Sequence, residues 1–303
     1  MIIDSHVHLI THGMAQAAFN RMDKMSKGAI SRRGKSGPGI MNRDFIDFLG
    51  RTEIAEFARI WVEELDKNRV DRALFLPIGG AGLDEMDQFT SLHPDRFSAY
   101  MMPDDPTEKK VVQELEKLVK SGRFVGIKLY PCVSGVSVAD ERAFPLYEAA
   151  GALDIPILIH FGITMAPIAD YRLTNPMDLM LPSRMFSETN FIIAHFGAGF
   201  FREVLLLGFH AKNIYVDTSG TNNWRMFLPR VMELSEIFKR AIEVYGAERI
   251  LFGTDTILNG KTGYRDFVLA EQLKALDDLA LDQDAHNLIM GGNAARLFGL
   301  GEL

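Results

Sequence analysis

Cysteine is almost absent from this chain: Cys132 stands alone in 303 residues. A single thiol excludes an intramolecular disulfide and any cysteine-rich zinc module, and its scarcity fits a reducing compartment, so a cytoplasmic location is expected. Long apolar runs are missing too. Nothing approaches the roughly 18 consecutive apolar residues of a membrane span, and the opening MIIDSHVH lacks the basic stretch and apolar core of a secretion signal. No membrane partner is expected. Positive charge is in short supply, with 33 Lys and Arg against 40 Asp and Glu and a net charge of −7. That balance argues against the broad phosphate-binding surface that nucleic acid requires, so an anionic partner has to be met by a local basic patch. What is present is ordinary globular material: 47% hydrophobic and 24% charged residues exclude disorder and supply a core, at a length that α/β barrels reach as one domain.

Short apolar runs alternate with amphipathic stretches, as expected when buried parallel strands are joined by crossover helices. Eight strands are predicted, near Ile2 to His8, Arg72 to Ile78, Phe97 to Met102, Val125 to Tyr130, Ile155 to His160, Phe191 to His195, Ile214 to Thr218 and Ile250 to Asp255. Between them lie apolar stripes of helical period: Ile54, Phe57, Ala58, Trp61 and Leu65; Val111, Val112, Leu115, Leu118 and Val119; Val231, Leu234, Phe238, Ala241, Ile242 and Tyr245. The first gap between strands is the longest. Its Gly-, Met- and Lys/Arg-rich stretch, residues 11–51, reads as a loop insertion over an active-site mouth within a single domain spanning 1–303.

Eight such units close into a (β/α)₈ TIM-type barrel or lie open as a doubly wound sheet. His6 and His8 end the first strand, His160 the fifth, His195 the sixth and Asp255 the eighth, all at the C-terminal ends where barrel enzymes carry their chemistry. Only a closed barrel sets strand eight beside strand one and lets the five converge. Residues two apart on a strand share a face, so His6 and His8, and Asp4 with them, are expected on one side and Val7 on the other. Paired imidazoles at a strand end suit a divalent metal, because neutral histidine nitrogens are good ligands for Zn²⁺ and related ions. His160 and His195 sit in near-identical endings, ILIHFG and IIAHFG, where a buried ring needs a partner. Asp255 has the chemistry of a ligand, a general base, or both in succession.

IDSHVH at the start, GIKLYP on strand four, the two endings ILIHFG and IIAHFG, FGTD on strand eight and the terminal GGNAARLFGL together resemble the amidohydrolase superfamily, nearest the branch with aminocarboxymuconate-semialdehyde decarboxylase, related aromatic-acid decarboxylases and several hydrolases. PDRFSAYMMP before strand four resembles it as well. The resemblance covers nearly the whole chain in order. It implies His6, His8, His160 and Asp255 as ligands of one catalytic metal, Zn²⁺ foremost with Mn²⁺ as the alternative, and His195 beside it as the acid/base or substrate-polarising group. GIKLYP departs from the decarboxylases of that branch. A lysine at this place in binuclear members is carbamylated and bridges two metals, which would make His195 a ligand of the second; an unmodified Lys128 would instead bind a substrate carboxylate as a point charge.

Two reactions suit these residues. In hydrolysis, water activated by the cation attacks a carbonyl carbon next to a C–N or C–O bond, Asp255 takes and returns the proton, and His195 donates to the developing oxyanion. In the alternative, a non-oxidative decarboxylation of an aromatic or unsaturated acid, the metal holds the carboxylate or phenolate and a protonated group delivers H⁺ to carbon. A third reading, a metal-free binding or scaffold barrel, treats the same residues as a polar cluster. A small carboxylate-bearing substrate is expected, because from Arg21 to Lys35 the insertion holds Arg21, Lys24, Lys27, Arg32, Arg33 and Lys35 against only Asp23. Arg172, Arg225 and Lys261 follow strands five, seven and eight and are further candidates for it. The run Gly34 to Gly39 lacks the setting of a phosphate loop. His93, His210 and His286 read as structural, His12 lies just past the metal pair, Cys132 has no paired base, Asn293 reads as a helix cap, and the methionine-rich stretch near Met177, Met180 and Met185 suits a core or a homodimer contact.

Overall fold

The computed structural model describes residues 1–25, 43–78, 82–164, 166, 168–259 and 262–301, with side chains described outside 19–44. Nine strands run parallel in one sheet: β1 (Ile3–His8), β2 (Arg72–Leu76), β3 (Phe97–Met101), β4 (Phe124–Leu129), β5 (Ile157–Ile159), β6 (Phe191–Ile193), β7 (Ile214–Asp217), β8 (Ile250–Leu251) and β9 (Thr256–Ile257). Their order is β8-β7-β6-β5-β4-β3-β2-β1-β9. The predicted eighth strand is therefore one segment broken in two, β8 pairing with β7 and β9 with β1. Between the halves, the Ser5 amide donates to the Phe252 carbonyl (3.0 Å) and the Asp255 amide to the His6 carbonyl (2.8 Å), so backbone hydrogen bonds join the segment to β1 along its length. This closes the sheet into a (β/α)₈ barrel.

Alternation along each strand sorts the core into two layers. Phe75, Met101, Ile127, Ile159, Ile193 and Val216 face the helices, whereas Leu74, Leu76, Tyr100, Leu158, Ile192, Tyr215 and Leu251 fill the interior. The helix Ile54–Lys67 buries Phe57, Ala58, Trp61 and Leu65, the stripe expected of it, and Trp61 meets Phe75 edge-on at 4.8 Å between ring centroids. Full burial of such an aromatic contributes about 2–3 kcal/mol. The helix Leu234–Tyr245 likewise buries Leu234, Phe238, Ala241 and Tyr245, but Val231 lies ahead of it and is exposed.

The C-terminal helix Asn293–Leu297 closes one end of the barrel. Ala294, Leu297 and Phe298 join the interior cluster, Phe298 packs on Tyr100, and the Leu300 carbonyl accepts from Arg72 at the start of β2. That is the end where the strands begin, opposite the end where the site lies. Asn293 does not cap the helix as expected; its buried amide donates to the Ala247 and Ile250 carbonyls and so ties the helix to β8.

Two local expectations are corrected. The stretch 11–51 is not all loop, since helices span His12–Met25 and Arg43–Arg51. In β1, Asp4 aligns with Ala73 and Val7 with Phe75, three steps against two, so a β-bulge lies between them. The bulge separates Asp4 from the face of His6 and His8. Its carboxylate instead accepts from the hydroxyls of Thr254 (2.5 Å) and Tyr264 (2.6 Å).

Candidate metal centre

His6, His8 and Asp255 come together at the C-terminal end of β1 and in the break between β8 and β9, with a ligand atom from each within 4.8 Å of the others. Asp255 Oδ1 lies 3.1 Å from His8 Nε2 and 3.8 Å from His6 Nε2. The other oxygen, Oδ2, accepts from Arg265 Nη1 at 3.0 Å. Asp255 holds this place with a left-handed backbone, φ 58°, a conformation that costs a non-glycine residue about 1 kcal/mol or more and marks functional turns. Gly253, two residues earlier, sits in tight surroundings: a Cβ there would stand 3.0 Å from the Cβ atoms of both His6 and Ser219.

The second histidine pair sits on β5 and β6. His160 and His195 approach through Nδ1 and Nε2 at 3.2 Å, and His160 Nε2 faces the Ile163 carbonyl at 3.2 Å. The two H-F-G endings lock against each other. Gly162 takes φ +78°, and a Cβ on it would meet the carbonyl oxygens of Gly197 and Ala198 at 2.3 Å. His195 and Phe196 are left-handed as well, φ 57° and 49°.

Asp217, at the end of β7, links the two halves. Its Oδ2 accepts from His6 Nδ1 at 2.7 Å, and Oδ1 accepts from the backbone N–H of His195 at 2.8 Å and of Ser219 at 3.0 Å. Ser219 Oγ lies 2.7 Å from His195 Nδ1. Sequence reasoning overlooked Asp217, Ser219 and Arg265. Asp217 carried the same signal as the chosen residues, a charged side chain closing an apolar run in IYVDTSG; Arg265 carried none, because it follows β9 by a loop.

Burial governs the protonation of the cluster. It drives His6 down to about 3, against the pull of Asp217, and drives His160 well below the usual imidazole range with help from His195 and Lys128. His195 is lowered by burial too, so these rings are neutral near pH 7, the form that binds metal. Burial alone would raise both carboxylates. The hydrogen bonds of His6 and Ser219 hold Asp217 low instead, and the hydrogen bond to His8 together with the Arg265 guanidinium holds Asp255 well below the carboxylate range. With Nδ1 of His6 committed to Asp217, His6 Nε2 is buried without a hydrogen-bond partner. A metal-binding imidazole has this arrangement, one nitrogen on a carboxylate and the other left to the ion, so the donor set fits a divalent cation.

Lys128 points into the barrel from β4. It is 2% exposed, its Nζ has no hydrogen-bond partner, and burial lowers it to about 8 against the attraction of Asp217 and Asp255. The other predicted substrate contacts are engaged elsewhere. Arg172 is exposed and forked onto Asp170; Arg225 donates to the Asn222 and Met232 carbonyls. Each guanidinium is thus held by acceptors close to it in the chain, which in Arg172 is a carboxylate and in Arg225 two carbonyls. Cys132 is buried and pushed up to about 11 by that burial, so it is a thiol at neutral pH. His12 lies beside Gln16 and Gly50. The basic residues Arg21, Lys24, Lys27, Arg32, Arg33 and Lys35, the run Gly34 to Gly39, and Lys261 lie outside the residues whose side chains are described.

The amidohydrolase family profile matches residues 3–300. The chain belongs to the amidohydrolase family. Enzymes of this family depend on metal. Comparison with curated protein sequences finds no match. Among solved structures this amidohydrolase resembles 5-carboxyvanillate decarboxylase from Novosphingobium aromaticivorans, complexed with manganese and 4-hydroxy-3-methoxy-5-nitrobenzoic acid, at 14% identity and a TM-score of 0.70 over 99% of this chain and 96% of that one. It also resembles a probable 2-pyrone-4,6-dicarboxylic acid hydrolase from Acinetobacter baumannii with citric acid bound (16% identity, TM-score 0.62, 98% and 99% covered). A third is 4-oxalomesaconate hydratase from Rhodopseudomonas palustris (22% identity, TM-score 0.66, 99% and 96% covered). At these identities the likeness is one of fold. Among the described residues, no helix is long and apolar enough to cross a membrane.

Proposed function

We propose that this amidohydrolase is a metal-dependent hydrolase that cleaves a C–N or C–O bond next to a carbonyl in a small carboxylate-bearing substrate. The reading is carried by one observation: His6 Nε2 is buried and free of hydrogen bonds, beside His8 and Asp255, while its Nδ1 is held by Asp217. In this reading His6, His8 and Asp255 hold the cation, and His160, one contact further through His195, completes the set. Zinc suits three imidazoles and a carboxylate, and manganese accepts the same donors. When bound, the cation would polarise a carbonyl and acidify water.

The chain's own residues supply the rest. Asp255 takes the proton of water and returns it to the leaving group, His195 donates to the oxygen on which charge develops, and Lys128 meets the substrate carboxylate. The unpaired ammonium of Lys128 supports that last role, because a buried cation without a counter-ion favours an anionic guest. A single cysteine supports a cytoplasmic protein, and the exposed Leu206 and Phe209 on the helix Phe201–His210 support a homodimer.

Decarboxylation of an aromatic or unsaturated acid is the second reading, favoured by the same Lys128 and by the decarboxylases among the structural neighbours. Protein purified without added metal or chelator is analysed by elemental mass spectrometry, then offered lactones, amides and carboxylated aromatics in H₂¹⁸O. About one Zn²⁺ or Mn²⁺ per chain and ¹⁸O in the product support hydrolysis. Release of CO₂ without ¹⁸O overturns it in favour of decarboxylation, about two metals per chain point to a carbamylated Lys128, and a chain that takes up no metal overturns every metal-dependent reading in favour of a binding barrel.

A further inference from the structure

Asp217, His6 and His195 form a second group whose ligand atoms lie within 4.8 Å of one another. Two roles are open to that group: a second cation site, or a hydrogen-bonded clamp on the first. The donors around Asp217 separate them. A carboxylate offers about four acceptor positions, and four donors fill those of Asp217: His6 Nδ1 on Oδ2 at 2.7 Å, and on Oδ1 the N–H of His195 at 2.8 Å, the N–H of Ser219 at 3.0 Å and Ser219 Oγ at 2.5 Å. None is left over for an ion.

His6 Nδ1 faces Asp217 Oδ2 and must carry the proton of that ring, since a carboxylate oxygen only accepts. Its Nε2 is thereby left bare, toward Asp255. The rule does not extend to His195: His160 Nε2 faces the Ile163 carbonyl, which leaves His160 Nδ1 as the acceptor for His195 Nε2. One anion at the end of β7 sets the tautomer of a histidine on β1.

We propose that Asp217 is a positioning residue that holds His6 as the Nδ1–H tautomer and thereby aims Nε2 of His6 at the metal. This rests on the reading that His6 is a metal ligand, but the tautomer itself does not depend on a metal. Asp217 is not itself a ligand. Its own place is fixed by the backbone N–H groups of His195 and Ser219, which both donate to Oδ1.

Long-range ¹H–¹⁵N correlation of the imidazoles in the full-length chain, with metal removed and then with Zn²⁺ restored, tests the tautomer directly. Protonated Nδ1 on His6 in the metal-free chain is the expected result; an unprotonated Nδ1 there overturns the proposal. Asp217→Asn is expected to release His6 into a tautomer mixture and to raise the Zn²⁺ dissociation constant, measured by chelator competition, about 10- to 100-fold, with the stoichiometry at saturating Zn²⁺ unchanged. Loss of one ion per chain at saturation would make Asp217 a ligand and overturn the assignment, as would an unchanged affinity. Should Asp217→Asn fail to fold, Ser219→Ala serves: it removes a hydroxyl 3.0 Å from His6 Nδ1 but leaves Asp217 in place, so His6 is expected to stay protonated on Nδ1, and a switch of its tautomer would assign the role to Ser219 and overturn the proposal. If the parent chain binds no Zn²⁺ at all, the proposed function fails, while the spectrum of the metal-free parent still decides the tautomer.

Discussion

Arg265 holds one oxygen of Asp255 at 3.0 Å while the other oxygen of that carboxylate faces His8 at 3.1 Å. The guanidinium and the imidazole divide the carboxylate between them, which orients Oδ1 toward the histidines and keeps the group ionised. Removing this hold should loosen Asp255 without deleting it. Arg265→Met is expected to lower kcat about 10- to 100-fold and weaken metal binding to a similar extent, and Arg265→Lys to recover only part, because a point charge cannot reproduce the planar fork. Steady-state kinetics beside metal titration checks this.

Asp255→Asn should be far more damaging. The amide keeps the shape but loses the charge that a cation needs and the basicity that proton transfer needs. A fall in kcat/KM of more than about a hundredfold is expected, with metal content after dialysis reduced below that of the parent. A smaller loss would remove Asp255 from both proposed roles.

Lys128 makes opposite predictions for stability and for activity. Burial lowers it from 10.5 to about 8, so between these pH values the unfolded chain binds more protons than the folded one. Stability therefore rises with pH across that window, and below about pH 8 the buried ammonium costs the fold up to ~3 kcal/mol. Lys128→Met should raise the urea midpoint at pH 7, with the gain shrinking toward pH 10.5. The same substitution should raise KM for a carboxylate substrate, and the parent's KM should climb as pH passes about 8 and the ammonium is lost.

Gly162→Ala tests the lock between the two histidine endings. At φ +78°, with carbonyl oxygens 2.3 Å from the added Cβ, alanine has to displace the backbone of Gly197 and Ala198. A loss of about 2 kcal/mol or more in urea unfolding is expected, together with reduced activity, since His160 and His195 sit two residues before the clashing glycines.

Metal removal should show in stability as well as in rate. If His6, His8 and Asp255 bind a cation in the folded state alone, chelation lowers Tm and restored Zn²⁺ or Mn²⁺ raises it again in a concentration-dependent way. An identical Tm with and without metal speaks against a site in this cluster.

The strands were readable because each is a short apolar run, and eight such runs alternate with stripes of helical period. The candidate site was readable in so far as its residues end those runs. His6, His8 and Asp255 meet as their positions implied, whereas the contact between His160 and His195 was not foreseen. Simple alternation failed at Asp4, where a bulge in β1 sends the carboxylate to Thr254 and Tyr264. Spacing gave no sign either of the local acceptors that Arg172 and Arg225 find a few residues away, because strand order carries no record of side-chain partners.

By itself the sequence determined the barrel and the end of it that gathers His6, His8 and Asp255, because apolar periodicity and the residue closing each strand are local properties of the chain. Tertiary structure alone decided which of those residues share hydrogen bonds. Asp217 lies 211 residues from His6 along the chain, yet its carboxylate is 2.7 Å away. Closure of the sheet creates that contact, through the broken last strand that joins β7 to β1, and no spacing in the sequence encodes it.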